Sequence, residues 1–164
     1  MATIDNLKGA FAGESQANRK YLAYAKKADQ DKLPGIAKLF RAAAQAETVH
    51  ALAHLRAMGG VSDTVANLQD AVGGENFEFT QMYPPYVKEA QEEGNAVAER
   101  SFAYAMTVEK THFDLYTAAL AAAKSGKDIA AQKFYVCPVC GNTVADGHPD
   151  KCPVCNSLKW DEVV

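Results

Sequence analysis

The sequence predicts an all-α four-helix bundle followed by a small β module that a metal ion holds together. Apolar residues recur at helical spacing throughout residues 1–125, which are rich in Ala, Glu, Lys and Leu and lack strand-like alternation. Residues 134–164 instead contain Pro, Gly, Asn, aromatic residues and all four cysteines of the chain. So short a module seldom folds without a staple, which cysteines provide by binding a metal.

Four helices are expected, over residues 3–30, 35–59, 75–93 and 95–124. Turns containing Gly or Pro separate them, and the short connections favour an up-down bundle. The third helix is the least regular, because Pro84 and Pro85 lie inside it and are expected to kink or begin it. A polar linker over residues 126–133 then joins the bundle domain, residues 1–125, to the cysteine module.

Charge and composition limit the location and the partners of the chain. Its 164 residues carry a formal net charge of −3, so no basic surface for a nucleic acid is expected. No apolar run is long enough to span a bilayer, and the first residues lack the basic and apolar regions of a signal peptide. A cytoplasmic protein that binds neither nucleic acid nor membrane is therefore expected.

The second and fourth predicted helices carry the same pattern of ligand-type residues. Phe40, Ala43, Glu47 and His50 recur with identical spacing as Phe102, Ala105, Glu109 and His112. Both series follow the helix face that points into a bundle, as does Glu14 in the first helix. Ionised carboxylates inside a core cost several kcal/mol each, so cations are expected between them. Di-iron carboxylate bundles have this arrangement, with Glu-x-x-His on two helices and one Glu on each of the others.

The third helix offers more than one candidate carboxylate. Glu75 and Glu78, one turn apart, are our choice of ligands, although Glu89, Glu92 and Glu93 are alternatives that periodicity does not exclude. Glu75 and Glu78 also have an alternative role, since carboxylates stabilise the N-terminus of a helix. His54 lies one turn beyond His50 with no second Glu, and we expect it to pack beside the site.

The C-terminal module contains two sequences of the form Cys-Pro-Val-Cys, at Cys137–Cys140 and Cys152–Cys155. Gly141 and Asn156 follow them, and both residue types tolerate the left-handed backbone conformation that such knuckles need. In a reducing compartment this spacing indicates one metal ion bound by four thiolates. Zinc and iron both accept this geometry. His148, between the knuckles, is expected at the surface rather than on the metal.

With both parts considered, the chain resembles the rubrerythrins from end to end. The resemblance rests on Glu14, the two Glu-x-x-His motifs, the segment from Glu75 to Tyr83 and the paired knuckles. It implies a ferritin-like di-iron bundle with a rubredoxin-like domain, iron rather than zinc on the cysteines, and Glu75 and Glu78 as ligands. Tyr21 and Tyr83 match tyrosines that lie beside the di-iron centre in that family. The short spacer between the knuckles and the Pro84-Pro85 pair depart from the pattern of rubredoxins and regular helices without touching a ligand.

Roles for the ligands follow as a hypothesis. Glu47 and Glu109 would bridge the two irons, and Glu14 and Glu75 would be terminal ligands on separate irons. His112 would bind one iron, and the resemblance implies that Glu78 and His50 exchange on the other, Glu78 in the oxidised and His50 in the reduced state. Cys137, Cys140, Cys152 and Cys155 would hold a third iron.

These features predict a non-haem peroxidase that reduces hydrogen peroxide to water in oxidative-stress defence. A ferrous pair can supply both electrons that this reaction needs, and the cysteine-bound iron would return them singly from an external donor, either a rubredoxin or an NAD(P)H-dependent reductase. The resemblance implies a head-to-tail homodimer, with transfer between chains because the linker is short. The alternatives are a ferritin-like ferroxidase, an oxidase that reduces dioxygen, and a zinc-containing binding protein.

Overall fold

The computed structural model describes residues 2–164, which form five α-helices, one π-helical segment and three short strands. The elements are α1 (Ala2–Gln30), α2 (Pro34–Ala57), α3 (Thr64–Phe77), the π segment (Glu78–Met82), α4 (Tyr83–Glu92), α5 (Ala96–Lys124), β1 (Phe134–Val136), β2 (Thr143–Ala145) and β3 (Asp161–Glu162). Two compact units contain them, one ending at Ser62 and the other beginning at Asp63. The predicted order of helices followed by a small cysteine-bearing sheet is confirmed.

The first unit is a helical hairpin of α1 and α2. Lys32 takes a positive φ of 60° in the turn, and Pro34 begins α2, where its missing N–H removes no helical bond. The buried side chains are nearly all alanines, namely Ala25, Ala28, Ala37, Ala44 and Ala51. Asn18 is the polar exception, and its amide donates to Ala44 O at 2.7 Å and to Thr48 Oγ1 at 2.8 Å. Small residues therefore let the two helices approach closely at this level.

The third helical run begins earlier than the sequence predicted. The Asp63 side chain accepts a hydrogen bond from the Ala66 N–H at 2.9 Å, and this cap starts α3 at Thr64. The expected start at residue 75 is wrong because the glycines before Glu75 continue the helix instead of ending it. Glu75 thus lies inside a helical run, which removes the alternative in which it caps a helix N-terminus.

A π-helical segment joins α3 to α4. The Tyr83 N–H bonds to Glu78 O, five residues back, so the chain carries one more residue than a regular turn. Pro84 and Pro85 follow in the first turn of α4, where a missing N–H costs least. The prediction that the prolines kink or begin a helix is confirmed. The extra residue changes which side chains of this run lie on one face, and Glu78 stands at its start.

Helix α5 packs against α3, the π segment and α4, and it also contacts the cysteine module. Its N-cap is Asn95, whose side chain accepts from the Ala98 N–H at 3.1 Å. The module is an antiparallel sheet in the order β2-β1-β3, and β2 is the strand that contacts α5. The short linker thus allows the module to lie on α5 of its own chain.

Within residues 2–164, no helix is long and apolar enough to cross a membrane.

The cap of α3 gives a test of this earlier helix start. Replacing Asp63 by Ala should lower the free energy of unfolding by about 1 kcal/mol, since the Ala66 N–H loses its acceptor. Asp63→Asn keeps an oxygen acceptor and should cost far less. Denaturant unfolding followed by circular dichroism measures both, and equal stability of Asp63→Ala and the wild type would contradict the assignment.

Candidate metal centres

The first unit brings together Glu14 from α1 with Glu47 and His50 from α2. One ligand atom from each residue lies within 4.8 Å of the other two. His50 Nδ1 is 2.9 Å from Glu47 Oε2 and 3.9 Å from Glu14 Oε1. One turn of helix separates Glu47 from His50, so both point to the same side of α2. These residues form a half-site with two carboxylates and one imidazole nitrogen.

The second unit contains a matching half-site. Glu75 of α3 joins Glu109 and His112 of α5, again with one atom of each within 4.8 Å of the others. His112 Nδ1 is 2.8 Å from Glu109 Oε2 and 3.9 Å from Glu75 Oε1. The two histidines therefore present the same ring nitrogen to their carboxylates at nearly the same distances, as the repeated motif predicts.

Burial and mutual repulsion raise the pKa of two carboxylates at the second half-site. Burial, the charge of Glu109, its hydrogen bond and Glu78 raise the pKa of Glu75 to about 7. Burial and then Glu109 also raise the pKa of Glu78, while His112 opposes this. Glu75 Oε2 is buried, and no donor among residues 2–164 reaches it. A cation between these oxygens would satisfy the orphaned atom, so the donor set fits a metal.

The two tyrosines named from the sequence have different surroundings. Burial raises the pKa of Tyr83, and the charges of Glu109, Glu78 and Glu75 raise it further. Its phenol therefore lies in the field of the second half-site and stays protonated at neutral pH. Tyr21 belongs to an aromatic cluster with Tyr24 and Phe40, whose ring centroids are 6.3 and 6.2 Å away.

The competing residues lie outside both half-sites. Glu89, Glu92 and Glu93 are exposed at the end of α4, and Glu92 pairs with Lys88 at 3.6 Å. His54 is half-buried and belongs to neither group. The arrangement favours the choice of Glu75 over the carboxylates of α4. Ligation by Glu78, which interacts with Glu109 and His112 but is outside the group of three, stays a prediction.

The four cysteines form one compact cluster. Cys137 and Cys155 are 3.5 Å apart at sulfur, as are Cys140 and Cys152, and all four are free thiols. Each knuckle closes with a 2.9 Å backbone bond, from the N–H of Gly141 to Cys137 O and from that of Asn156 to Cys152 O.

The backbone of the knuckles prepares the cluster for a metal. Gly141 and Asn156 have φ values of 84° and 61°, so the predicted left-handed positions are confirmed. Burial opposes ionisation of Cys137, but the backbone N–H groups of Cys140 and Val139 lower its pKa to about 7. Burial raises the pKa of Cys140 and of Cys155. A bound cation is needed to keep all four as thiolates, which fits one tetrahedral ion.

His148 is exposed, as predicted, and stacks on Trp160 with 5.3 Å between ring centroids. The Trp160 indole donates to Pro149 O at 3.0 Å. This contact orders the loop between the knuckles without adding a ligand to the cysteine cluster.

One contact at the second half-site was not predicted from the sequence. His112 Nε2 lies 2.9 Å from Thr143 Oγ1 of β2. The two residues are distant in the chain and share no motif, so neither periodicity nor spacing indicates that they meet.

The raised pKa of Glu75 predicts how the metal-free protein responds to pH. Between the ordinary pKa of 4.5 and about 7, the folded state keeps a proton that the unfolded state has lost, so the free energy of unfolding falls as the pH rises. Glu75→Gln removes this pH dependence. The free energy of unfolding of the variant should therefore rise relative to that of the wild type as the pH passes from 4.5 to 7. Urea unfolding of the two metal-free proteins across this range measures the difference, and a difference independent of pH would contradict it.

Comparison with known proteins agrees with this geometry. Residues 5–120 match the family model described as Rubrerythrin. Rubrerythrin-2 of Clostridium acetobutylicum is 38% identical over 171 residues, covering 96% of this chain and 93% of that protein. Nigerythrin of Nitratidesulfovibrio vulgaris is 38% identical over 168 residues, covering 94% of this chain and 82% of that protein.

Solved structures give the same result. The fully reduced, all-ferrous state of nigerythrin matches with a TM-score of 0.58 at 32% identity, covering 98% of this chain and 86% of that one. The fold class is thus a ferritin-like bundle with a rubredoxin-like module. Its cofactors are two non-haem irons and one iron on four cysteines, and the two Glu/His groups and the cysteine cluster supply donors that suit these ions. The chain belongs to the rubrerythrin family.

Proposed function

We propose that this member of the rubrerythrin family is a peroxidase that reduces hydrogen peroxide to two waters. Members of the family serve in oxidative-stress defence, and their relationship to this chain indicates an oxidoreductase. The observation that carries the finer proposal is that one chain combines two Glu/His half-sites with a cysteine cluster lying against α5. Iron storage needs no attached one-electron carrier, so this combination favours catalytic turnover over a ferroxidase role.

The proposed ligand roles follow the two half-sites. Glu14 and Glu75 would be terminal ligands on separate irons, Glu47 and Glu109 would be the bridges, and His112 would bind the iron of Glu75. The two histidines differ in their freedom, because His50 is 55% exposed and His112 is 27% exposed. The greater exposure of His50 supports the proposal that it exchanges with Glu78 as the oxidation state changes, while His112 stays in place.

The reduction of hydrogen peroxide needs protons, and Tyr83 and Glu78 are the residues proposed to assist their delivery. When bound, the ferrous pair supplies the two electrons of the reduction. The phenol of Tyr83 stays protonated and would donate a hydrogen bond to an oxygen of the peroxide. Burial and Glu109 raise the pKa of Glu78, which favours its protonated form, so Glu78 would be the group that passes a proton to a leaving oxygen. Tyr21 is proposed as a second hydroxyl beside the pair. Reduction of hydrogen peroxide to two waters takes two electrons and two protons, of which Glu78 would supply one and solvent water the other.

Electrons are proposed to enter at the cysteine-bound iron from an external rubredoxin or NAD(P)H-dependent reductase. The contact of β2 with α5 supports electron transfer within one chain. Transfer between chains, which the family resemblance implies, stays a second proposed route. A homodimer is supported by apolar side chains of unit one that are exposed in the isolated chain, such as Leu33, Ile36 and Leu39. A cytoplasmic location, and the division into domains at residues 125 and 134, stay part of the proposal.

The peroxidase proposal is tested on anaerobically reduced, iron-loaded protein. One equivalent of hydrogen peroxide should restore the visible absorption of the ferric cysteine site quickly, and one equivalent of dioxygen should restore it slowly. Glu109→Gln removes a residue proposed to bridge the two irons. Loss of a residue that only hydrogen-bonds to a metal ligand costs up to ~100-fold in activity. Loss of a direct ligand should therefore slow the peroxide response by at least that factor. Glu93→Gln, at an exposed position outside both half-sites, is the matched control and should react like the wild type.

Three outcomes would contradict the proposal. A dioxygen response as fast as the peroxide response would indicate an oxidase. Iron oxidation without return of the visible band would indicate a ferroxidase. A colourless protein with zinc on the cysteines would leave no internal electron carrier.

A further inference from the structure

The bond between His112 and Thr143 continues beyond the threonine. Thr143 Oγ1 lies 2.9 Å from His112 Nε2 and donates to Gly141 O at 3.1 Å. Gly141 is bonded directly to Cys140, one of the four clustered cysteines. A continuous series of one side chain, two hydrogen bonds and a short backbone segment therefore joins the second half-site to the cysteine cluster within a single chain.

The direction of these hydrogen bonds is set by the carboxylates. Glu109 and Glu75 both approach Nδ1 of His112, so Nδ1 is the atom that faces a metal. Nε2 then carries the proton and donates to the hydroxyl of Thr143, which in turn donates to Gly141 O. A hydroxyl can accept one hydrogen bond and donate another, so this arrangement is fully satisfied. Partners of this kind fix the ring orientation of a histidine ligand and strengthen its binding to a metal.

The first half-site provides an internal comparison. His50 presents its Nδ1 to Glu47 and Glu14 at distances like those of His112, yet within residues 2–164 its Nε2 has no hydrogen-bond partner. The repeated Glu-x-x-His motif therefore does not by itself require an outer partner. Thr143 is a feature of the second half-site alone.

The threonine is held firmly enough to act on the ring. It pairs with Val136 in the antiparallel sheet, and both residues are half-buried. A methyl group placed on the nearby Gly141 would lie 3.8 Å from Val108 Cγ1, and Val108 is buried in α5. The sheet and the knuckle thus meet α5 at the level of Glu109, so the position of the hydroxyl is set by packing on both sides.

We propose that Thr143 is a positioning residue that holds His112 as an Nδ1 ligand and links the cysteine site to the second half-site within one chain. The inference rests on the proposed function and adds a route to it. In this route one electron would pass from a ferrous iron on the four cysteines, which would become ferric, to one ferric ion of the pair, which would become ferrous. No bond breaks in this step, and the protons of His112 and Thr143 stay where they are.

Iron retention tests the positioning role without measuring turnover. In the reduced full-length protein, Thr143→Val should release iron from the second half-site to a ferrous chelator roughly 10–100-fold faster than the wild type. Val is close in shape and suits a strand. Thr143→Ser restores a hydroxyl and should return the release rate towards that of the wild type. Thr107→Val, which removes a hydroxyl bonded only to Ala103 O on the same helix, should release iron at the wild-type rate.

The electron route is tested by following two signals after peroxide is added to reduced protein. In Thr143→Val loaded with iron, the return of the ferric cysteine band should slow at least tenfold relative to peroxide consumption in the same sample, whereas Thr107→Val should show the wild-type ratio of the two rates. Slow peroxide consumption in the wild type as well would count against the proposed function and not against Thr143 alone.

Wild-type iron release and wild-type recolouring in Thr143→Val would overturn the inference. Thr143→Ala removes the hydroxyl without adding an apolar group, so it must behave like Thr143→Val. If either variant is less stable but retains iron normally, Thr143 has only a structural role in β2 and the inference fails.

Discussion

Carboxylates that lie close together without a positive partner are the constraint on which this structure depends. Burial and the neighbouring Glu109 push the pKa of Glu75 to about 7, and Glu75 Oε2 has no donor within the described chain. In the metal-free chain these conditions favour the protonated form of Glu75, and a bound cation would stabilise the ionised form in place of the proton. The repeated Glu-x-x-His motif and the π segment at Glu78 place donors around that charge rather than improve the packing.

The cysteine module also contains buried ionisable groups whose charged form a metal ion would stabilise. Burial raises the pKa of Cys140 and of Cys155, whereas hydrogen bonds from the backbone N–H groups of Cys140 and Val139 lower the pKa of Cys137 to about 7. A metal ion would stabilise the thiolate form of the cysteines whose ionisation the knuckle backbone does not favour enough by itself. Because β2 contacts α5, the module also acts on the second half-site through Thr143, so the two metal centres of this chain share a structural support.

Local patterns in the sequence predicted most of the residues that the structure brings together at the candidate metal centres, since each motif fits within one or two turns of chain. Glu47 with His50, Glu109 with His112, and the left-handed Gly141 and Asn156 are all of this kind. The start of α3 was missed because Gly59 and Gly60 and the polar residues after them suggested a longer loop, whereas the cap at Asp63 ends the loop at Thr64. The Thr143 contact was not predictable at all, because it depends on how the sheet packs on α5, which no local periodicity encodes.

The central claim is that one chain holds three irons, two on carboxylates and one on thiolates. Mössbauer spectroscopy of the oxidised, iron-57-loaded protein, with iron and zinc counted per chain, tests it most directly. The account predicts three irons per chain, two of them as an exchange-coupled ferric pair and one as a ferric tetrathiolate. A single iron per chain, an uncoupled ferric spectrum for the carboxylate irons, or zinc on the cysteines would contradict it.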